Sequence, residues 1–308
     1  MDKPGWQMQD MPDQSGRLAI VTGANIGLGY EAALALARRG AKVILACRSM
    51  PKAEAAVQRI RIELPKADLQ IAELDISDMD SVRHFASEFR REHARLDLLI
   101  NNAGVMAIPR QLTRDGFEMQ LATNHLGHFA LTGLLLPCLN AAPHARVVAV
   151  SSMAARHASI AFDNLMGERG CRPWKAYNQS KLANLMFGRE LQRRLARSGA
   201  TTTAVIAHPG SATTNLFASP GARIVKQVLM PLASRLLFHA PDRGVLPILF
   251  AATSPDAQPG AYYGPDGFQE IKGEVAPACV PKAARDQPAA SRLWKVSESL
   301  SCVEYLSG

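Results

Sequence analysis

Between residues 18 and 207, short runs of consecutive apolar residues alternate with longer stretches whose apolar residues recur at helical spacing. Residues 18–22 and 42–47 read as strands. Between and after them, 31–39 and 51–64 read as helices, the first stopped at Gly40, the second opened by Pro51 and closed by Pro65. Residues 69–74, 96–100, 146–150 and 202–207 continue the strand series. A strand that is apolar at nearly every position is covered on both faces, the condition of a parallel sheet with helical crossovers. With right-handed crossovers, the pattern predicts one doubly wound α/β domain, a parallel sheet of about seven strands with helices on both faces.

Composition excludes more than it assigns. With 308 residues, 47% hydrophobic and 20% charged, the chain can bury a large core. The net charge of +8 invites a nucleic-acid reading. However, the pairs Arg38-Arg39, Arg90-Arg91 and Arg193-Arg194 are dispersed, without interleaved aromatics, and read as solvated helix faces. Five cysteines without C-x-x-C spacing read as reduced thiols and offer no metal framework. The first residues include Asp2, Lys3, Pro4 and Asp10, unlike a signal peptide, and the apolar run at 129–139, ending around Pro137, is too short for a bilayer. The expectation is a cytoplasmic protein with no metal, no nucleic-acid partner and no membrane span. After Pro209, Gly and Pro punctuate apolar pieces at 224–237 and 245–253. This predicts a 1–16 extension, a 17–210 core and a 211–308 segment acting as substrate lid or as irregular sheet edge.

The turn after the first strand carries Gly23, Asn25, Ile26, Gly27, Leu28 and Gly29. Its glycines permit φ > 0 and close backbone approach to a pyrophosphate, and the helix that follows presents unpaired N–H groups and a favourable dipole. Together with the alternation, this predicts a Rossmann-like, dinucleotide-binding crevice. Strand two ends at Cys47 and Arg48 with no acid there to take a ribose hydroxyl, while a guanidinium can grip a 2′-phosphate. NADP(H) is the expected cofactor, NAD(H) the alternative. Of the five tyrosines, only Tyr177 has a lysine, Lys181, four residues on, which places both on one helix face. An ammonium beside a phenol is expected to bring its pKa down towards a working acid-base range.

Glycine turn, Tyr177 and Lys181, and further stretches in the same order, resemble the short-chain dehydrogenases/reductases. Asn124 within 124–129 and the long interval between Ser152 and Tyr177 are similar to the retinol-dehydrogenase-like branch, and the stretches at 262–267 and 293–297 to its bacterial members. The resemblance implies that Asp75 and Ile76 contact adenine, and that Asn102, Ala103 and Gly104 line the cofactor. It further implies that Pro209, Gly210 and Thr214 flank the nicotinamide, that Ser152 orients the substrate oxygen, and that Asn124 keeps a water in a proton path from Lys181. The implied reaction is hydride transfer between a carbonyl and an alcohol, with Tyr177 as acid or base, in a homodimer or homotetramer. Apolar residues after Pro209 suggest a hydrophobic substrate. A C=C reductase with the same residues and a non-catalytic NADP(H) sensor are the competing readings, and His208, before Pro209, reads as structural rather than as a base.

Overall fold

A computed structural model describes residues 5–210 and 241–306. Strands β1 (Leu18–Thr22), β2 (Lys42–Cys47), β3 (Leu69–Glu73), β4 (Leu98–Asn101), β5 (Arg146–Val150), β6 (Thr203–Ala207), β7 (Tyr262–Pro265) and β8 (Val275–Pro277) form one sheet. Their order is β3-β2-β1-β4-β5-β6-β7-β8. Seven strands are parallel, as expected. The eighth, antiparallel to β7, was not legible, because a three-residue edge strand ending in proline carries no periodic signal. Strand residues alternate between two cores. Ile20, Ile44, Leu99, Val147 and Ile206 enter one, and Val21, Leu45, Ile100, Val148 and Val205 the other.

Helices α1 (Gly27–Arg38) and α2 (Met50–Glu63) cover one face; α3 (Met79–Glu92), α5 (Gly127–Asn140) and α6 (Pro173–Ser198) cover the other. Asp78 caps α3, its carboxylate accepting from the N–H groups of Asp80 and Ser81, and Met79, Val82, Phe85, Ala86 and Phe89 make its buried stripe. Helix α5 is entered through a short turn, α4 (Met119–Leu121), and a π-helical segment, Ala122–Leu126. It runs past Pro137 to Asn140 rather than ending there. The proline removes one N–H from the last turn, a loss carried by a helix that is buried along most of its length. Helix α6 starts at Pro173, one turn before the predicted opening at Tyr177, since proline suits a first helical position.

The chain continues, after residues outside the described set, through α7 (Pro241–Gly244), α8 (Leu246–Thr253), α9 (Lys282–Arg285) and α10 (Gln287–Ser301). The apolar pieces at 224–237 and Thr214 lie outside the described residues. Trp294 of α10 packs edge-on against Phe129, ring centroids 4.9 Å apart, and against Tyr305 at 4.8 Å. Arg194 corrects the solvated-face reading. It is buried, its Nε donates to Glu190 Oε1 at 2.8 Å, and its guanidinium lies 4.5 Å from the Trp294 ring centre. Among the described residues, no helix is long and apolar enough to cross a membrane, and no group of three metal-ligating side chains occurs.

Phe129 is fully buried at the centre of this aromatic cluster. Phe129→Ala should cost about 3–5 kcal/mol of unfolding free energy. Urea denaturation checks this, and a loss under about 1 kcal/mol would mean the C-terminal helix is not docked as described.

Candidate active site

Parallel registry sets the site. Thr22 pairs with Ala46, Val21 with Ile100, Asn101 with Ala149, and Val150 with Ala207. The carboxyl ends of five strands therefore align, and the turns after them open on one side of the sheet, across the β1/β4 point where strand order reverses. A cavity of about 720 Å³ lies there. Its walls include the glycine turn, Arg48, Asp75 and Ile76, Asn102 to Gly104, Ser152, Tyr177, Lys181, Pro209 and Gly210. Asn124 is not in the wall; it is buried behind it.

The glycine turn is built for close approach. Gly23 and Gly27 have φ of +66° and +59°. Gly29 does not; its constraint is space, because a Cβ there would lie 2.4 Å from Gly23 O and 2.5 Å from Asn102 Nδ2. Helix α1 begins at Gly27 with no side-chain cap on Ile26, which leaves its first N–H groups free for a ligand's anionic oxygens. Opposite, Thr22 Oγ1 accepts from the N–H groups of Asn102 and Ala103, both at 2.9 Å. Beyond the end of β2, Arg48 Nη1 lies 3.8 Å from Asp75 Oδ2, with 71% of the arginine side chain exposed. Such a long, solvated pair holds little energy, so the guanidinium is available to another anion. The other Asp75 oxygen accepts from Ser77 N (3.0 Å) and Oγ (2.6 Å).

The two serines after β5 divide their tasks. Ser151 Oγ donates to Lys181 O at 2.7 Å, anchoring α6 to the sheet. Ser152 lies in the wall with Tyr177, its Oγ accepting from Ala154 N at 3.2 Å. Tyr177 and Lys181 both face the cavity, yet the expected electrostatics are reversed. Burial pushes the Tyr177 phenol up, opposed only by the neighbouring Ser152 hydroxyl. Burial likewise pushes Lys181 down, to about 8, and its ammonium donates to Val150 O at 3.1 Å. Removing both groups from water outweighs what the spacing alone suggested.

Asn124 sits in the π-helical segment, and its side chain is spent on protein contacts. Oδ1 accepts from Val105 N (2.8 Å), while Nδ2 donates to Val105 O (3.0 Å) and Ser180 Oγ (2.8 Å). It thus pins the turn after β4 to α6, one residue from Lys181. His128, unassigned in the sequence, holds the same region. Its Nδ1 donates to Asn124 O at 3.0 Å, so Nε2 accepts from Thr22 Oγ1 at 2.9 Å, a neutral ring kept so by burial, which lowers its pKa to about 4. Trp174 is the other residue the sequence did not single out: half exposed in the wall, its ring stands edge-on to Tyr177 at 6.0 Å. Met106, Ile108, Met119 and Met153 continue this apolar side.

The sequence profile described as short chain dehydrogenase matches residues 17–223. Human retinol dehydrogenase 14 is 39% identical over 298 residues, covering 92% of this chain and 85% of that protein. Human retinol dehydrogenase 13 is 42% identical over 292 residues, covering 94% and 86%. Among solved structures, an uncharacterized protein from Mycobacterium Paratuberculosis superposes with a TM-score of 0.82 at 41% identity, covering 98% of this chain and 99% of that one. The Pseudomonas aeruginosa RhlG/NADP active-site complex superposes at 0.65 and 25% identity, covering 81% and 94%.

A lysine titrating near 8 when folded and above 10 when unfolded binds fewer protons folded in that window, so stability should rise with pH between about 8 and 10. Below it, the buried charge carries a penalty on the order of 3 kcal/mol. Lys181→Met should therefore be more stable than the parent at pH 7 and lack that alkaline rise. Thermal melts across pH 6–10 read both, and an unchanged pH slope in the variant would contradict the burial argument.

Proposed function

The chain belongs to the short chain dehydrogenase family and is an oxidoreductase, and we propose that it interconverts an alcohol and a carbonyl with NADP(H), on an apolar substrate of moderate to large size. The observation that carries this reading is the convergence of Ser152, Tyr177 and Lys181 on one cavity whose far wall is the glycine turn. The cradle suits a dinucleotide: Gly23 and Gly27 turn the backbone with positive φ, Gly29 leaves no room for a side chain, and the uncapped start of α1 offers N–H donors to a pyrophosphate. Asp75 and Ile76 would face the adenine, Asn102 to Gly104 the middle of the molecule, and Pro209 and Gly210 the nicotinamide. When bound, the nicotinamide supplies or accepts the hydride.

The protein's part is proton handling and charge. Tyr177, kept as a phenol by burial, donates its proton to the oxygen of a carbonyl under reduction. Ser152 donates a hydrogen bond to that oxygen, and the Lys181 ammonium stabilises the negative charge left on the tyrosine. In alcohol oxidation Tyr177 first loses its proton, which burial opposes and Lys181 favours. Asn124 acts through position, holding Val105 against α6, and in the same reading keeps a water in the proton path from Lys181. Arg48 would take the 2′-phosphate by exchanging its loose contact with Asp75. The NADP of the 25%-identical Pseudomonas aeruginosa complex, and retinol in the names of the relatives, support the cofactor and an apolar substrate lying along Ile108, Met119 and Trp174.

Tyr177→Phe should lower turnover by at least about 100-fold, with NADPH affinity within roughly threefold of the parent; a larger loss of affinity than of rate would remove Tyr177 from the chemistry. Arg48→Asp should shift the ratio of kcat/KM values towards NADH by roughly 10–100-fold. Unchanged selectivity would place the phosphate contact elsewhere.

A further inference from the structure

Behind the Pro209–Gly210 wall, three segments meet on one carboxylate that the chemistry above does not use. His208, fully buried at the end of β6, receives the Gly210 N–H on Nδ1 at 3.2 Å, so that nitrogen carries no proton. The ring's proton is on Nε2, which donates to Glu270 Oε2 at 2.8 Å. Arg156, in the 3-10 turn Met153–His157 that begins directly after Ser152, places Nη2 2.5 Å from the same oxygen and donates from Nη1 to Gln269 O at 3.1 Å. Glu270 Oε1 accepts from Cys279 N at 2.7 Å. Tyr262, tilted against the His208 ring at 5.1 Å, donates its hydroxyl to Ser152 O at 3.3 Å.

The backbone is shaped to make this cluster. Gln269 and Glu270 adopt φ of +50° and +57°, a left-handed conformation that side chains enter only where the surroundings impose it. Gly264 of β7 leaves space for the imidazole; a Cβ there would lie 2.0 Å from His208 Nε2. Burial holds the His208 pKa below its ordinary value, and Glu270, hydrogen-bonded by His208 and the Cys279 N–H and facing Arg156, is held down at about 2 against its partial burial. Even a partly buried ion pair is a poor way to gain stability compared with apolar packing. What this one does is join the turn after β5 to the turn after β6, and both turns line the cavity.

We propose that Glu270 is a positioning residue: through His208 it fixes the Pro209–Gly210 wall, and through Arg156 it fixes the Ser152 turn, so that the nicotinamide side and the substrate-oxygen side of the cavity keep one spacing. This rests on the proposed function. It makes His208 a spacer, with no part in proton transfer. Its effect should appear at the nicotinamide and spare the adenosine half, which binds at β1 and β2.

The test compares the full chain with Glu270→Ala and Arg156→Met, each checked for folding by near-ultraviolet circular dichroism. Adenosine 2′,5′-bisphosphate affinity, emission of bound NADPH, and turnover with 4-deuterated and ordinary NADPH are measured. The expected result is bisphosphate affinity within roughly threefold of wild type, altered nicotinamide emission, and kcat lowered by roughly tenfold or more. The deuterium isotope effect should rise and the carbonyl KM should change less than kcat. Glu270→Gln, whose amide oxygen still accepts from His208, should recover part of the loss. If Glu270→Ala does not fold, Arg156→Met, which cuts only the Ser152 arm at a partly exposed residue, decides. Folded variants with wild-type emission, kcat and isotope effect would overturn the proposal, as would equal losses for NADPH and the bisphosphate. Wild-type protein without nicotinamide emission on NADPH addition would remove the cofactor reading itself, an outcome separable from variants that match wild type.

Discussion

One hydroxyl organises the crevice. Thr22, at the carboxyl end of β1, donates to His128 Nε2 and accepts from the N–H groups of Asn102 and Ala103, using its one proton and both lone pairs. Its carbonyl takes Asn102 Nδ2 at 2.8 Å. The glycine turn, the turn after β4 and the start of α5 are thereby joined within a buried, low-dielectric region. There an unmade hydrogen bond is expensive, and alternative arrangements are correspondingly disfavoured. The π-helical segment belongs to the same device. It places Asn124 where its amide can grip Val105 from both sides while its carbonyl is held by His128. Extra helical residues of this kind recur at functional sites because they re-aim a side chain without breaking the helix.

Around that frame, the chemistry sits in tension with stability. Tyr177 and Lys181 are buried at a sheet edge where neither meets a counter-charge, and both are displaced in the direction that disfavours charge. The phenol therefore rests protonated, the state that the proposed carbonyl reduction requires, and the lysine sits close to its own titration at mildly alkaline pH. A well-packed apolar pair would stabilise the fold better. The residues that keep these groups in place are ordinary hydrogen-bonding ones: Ser151 on the α6 backbone, Asn184 sharing Val150 O with Lys181, and Asn124 on Ser180.

Several features visible in the residues alone change meaning in the assembled fold. Arg194 reads in the sequence as half of a solvated pair; its partners Glu190 and Trp294 lie 4 and 100 positions away, and only the nearer is visible in a helical pattern. Spacing places Tyr177 and Lys181 on one face, but the sign of their pKa shifts is set by burial, which no helical spacing reveals. The glycine spacing suggests unusual φ at Gly29, whereas its need is for clearance from Gly23 and Asn102. The reading of His208 as a structural residue agrees with its burial, but Glu270, its partner 62 residues on, gave no local sign.

By itself, the sequence determined the first six strands of the sheet, the glycine cradle after the first of them and the helix bearing Tyr177 and Lys181. Each of these rests on local periodicity, on the conformational freedom of glycine, or on spacing within a single helix. The tertiary structure alone decided how those pieces work together: which serine is spent on the α6 backbone, which groups lose water, and how Thr22, His128, Glu270 and Arg156 tie separate turns into one wall. The physical reason is that desolvation and long-range hydrogen bonds belong to no single segment; they exist only once distant parts of the chain exclude water between them.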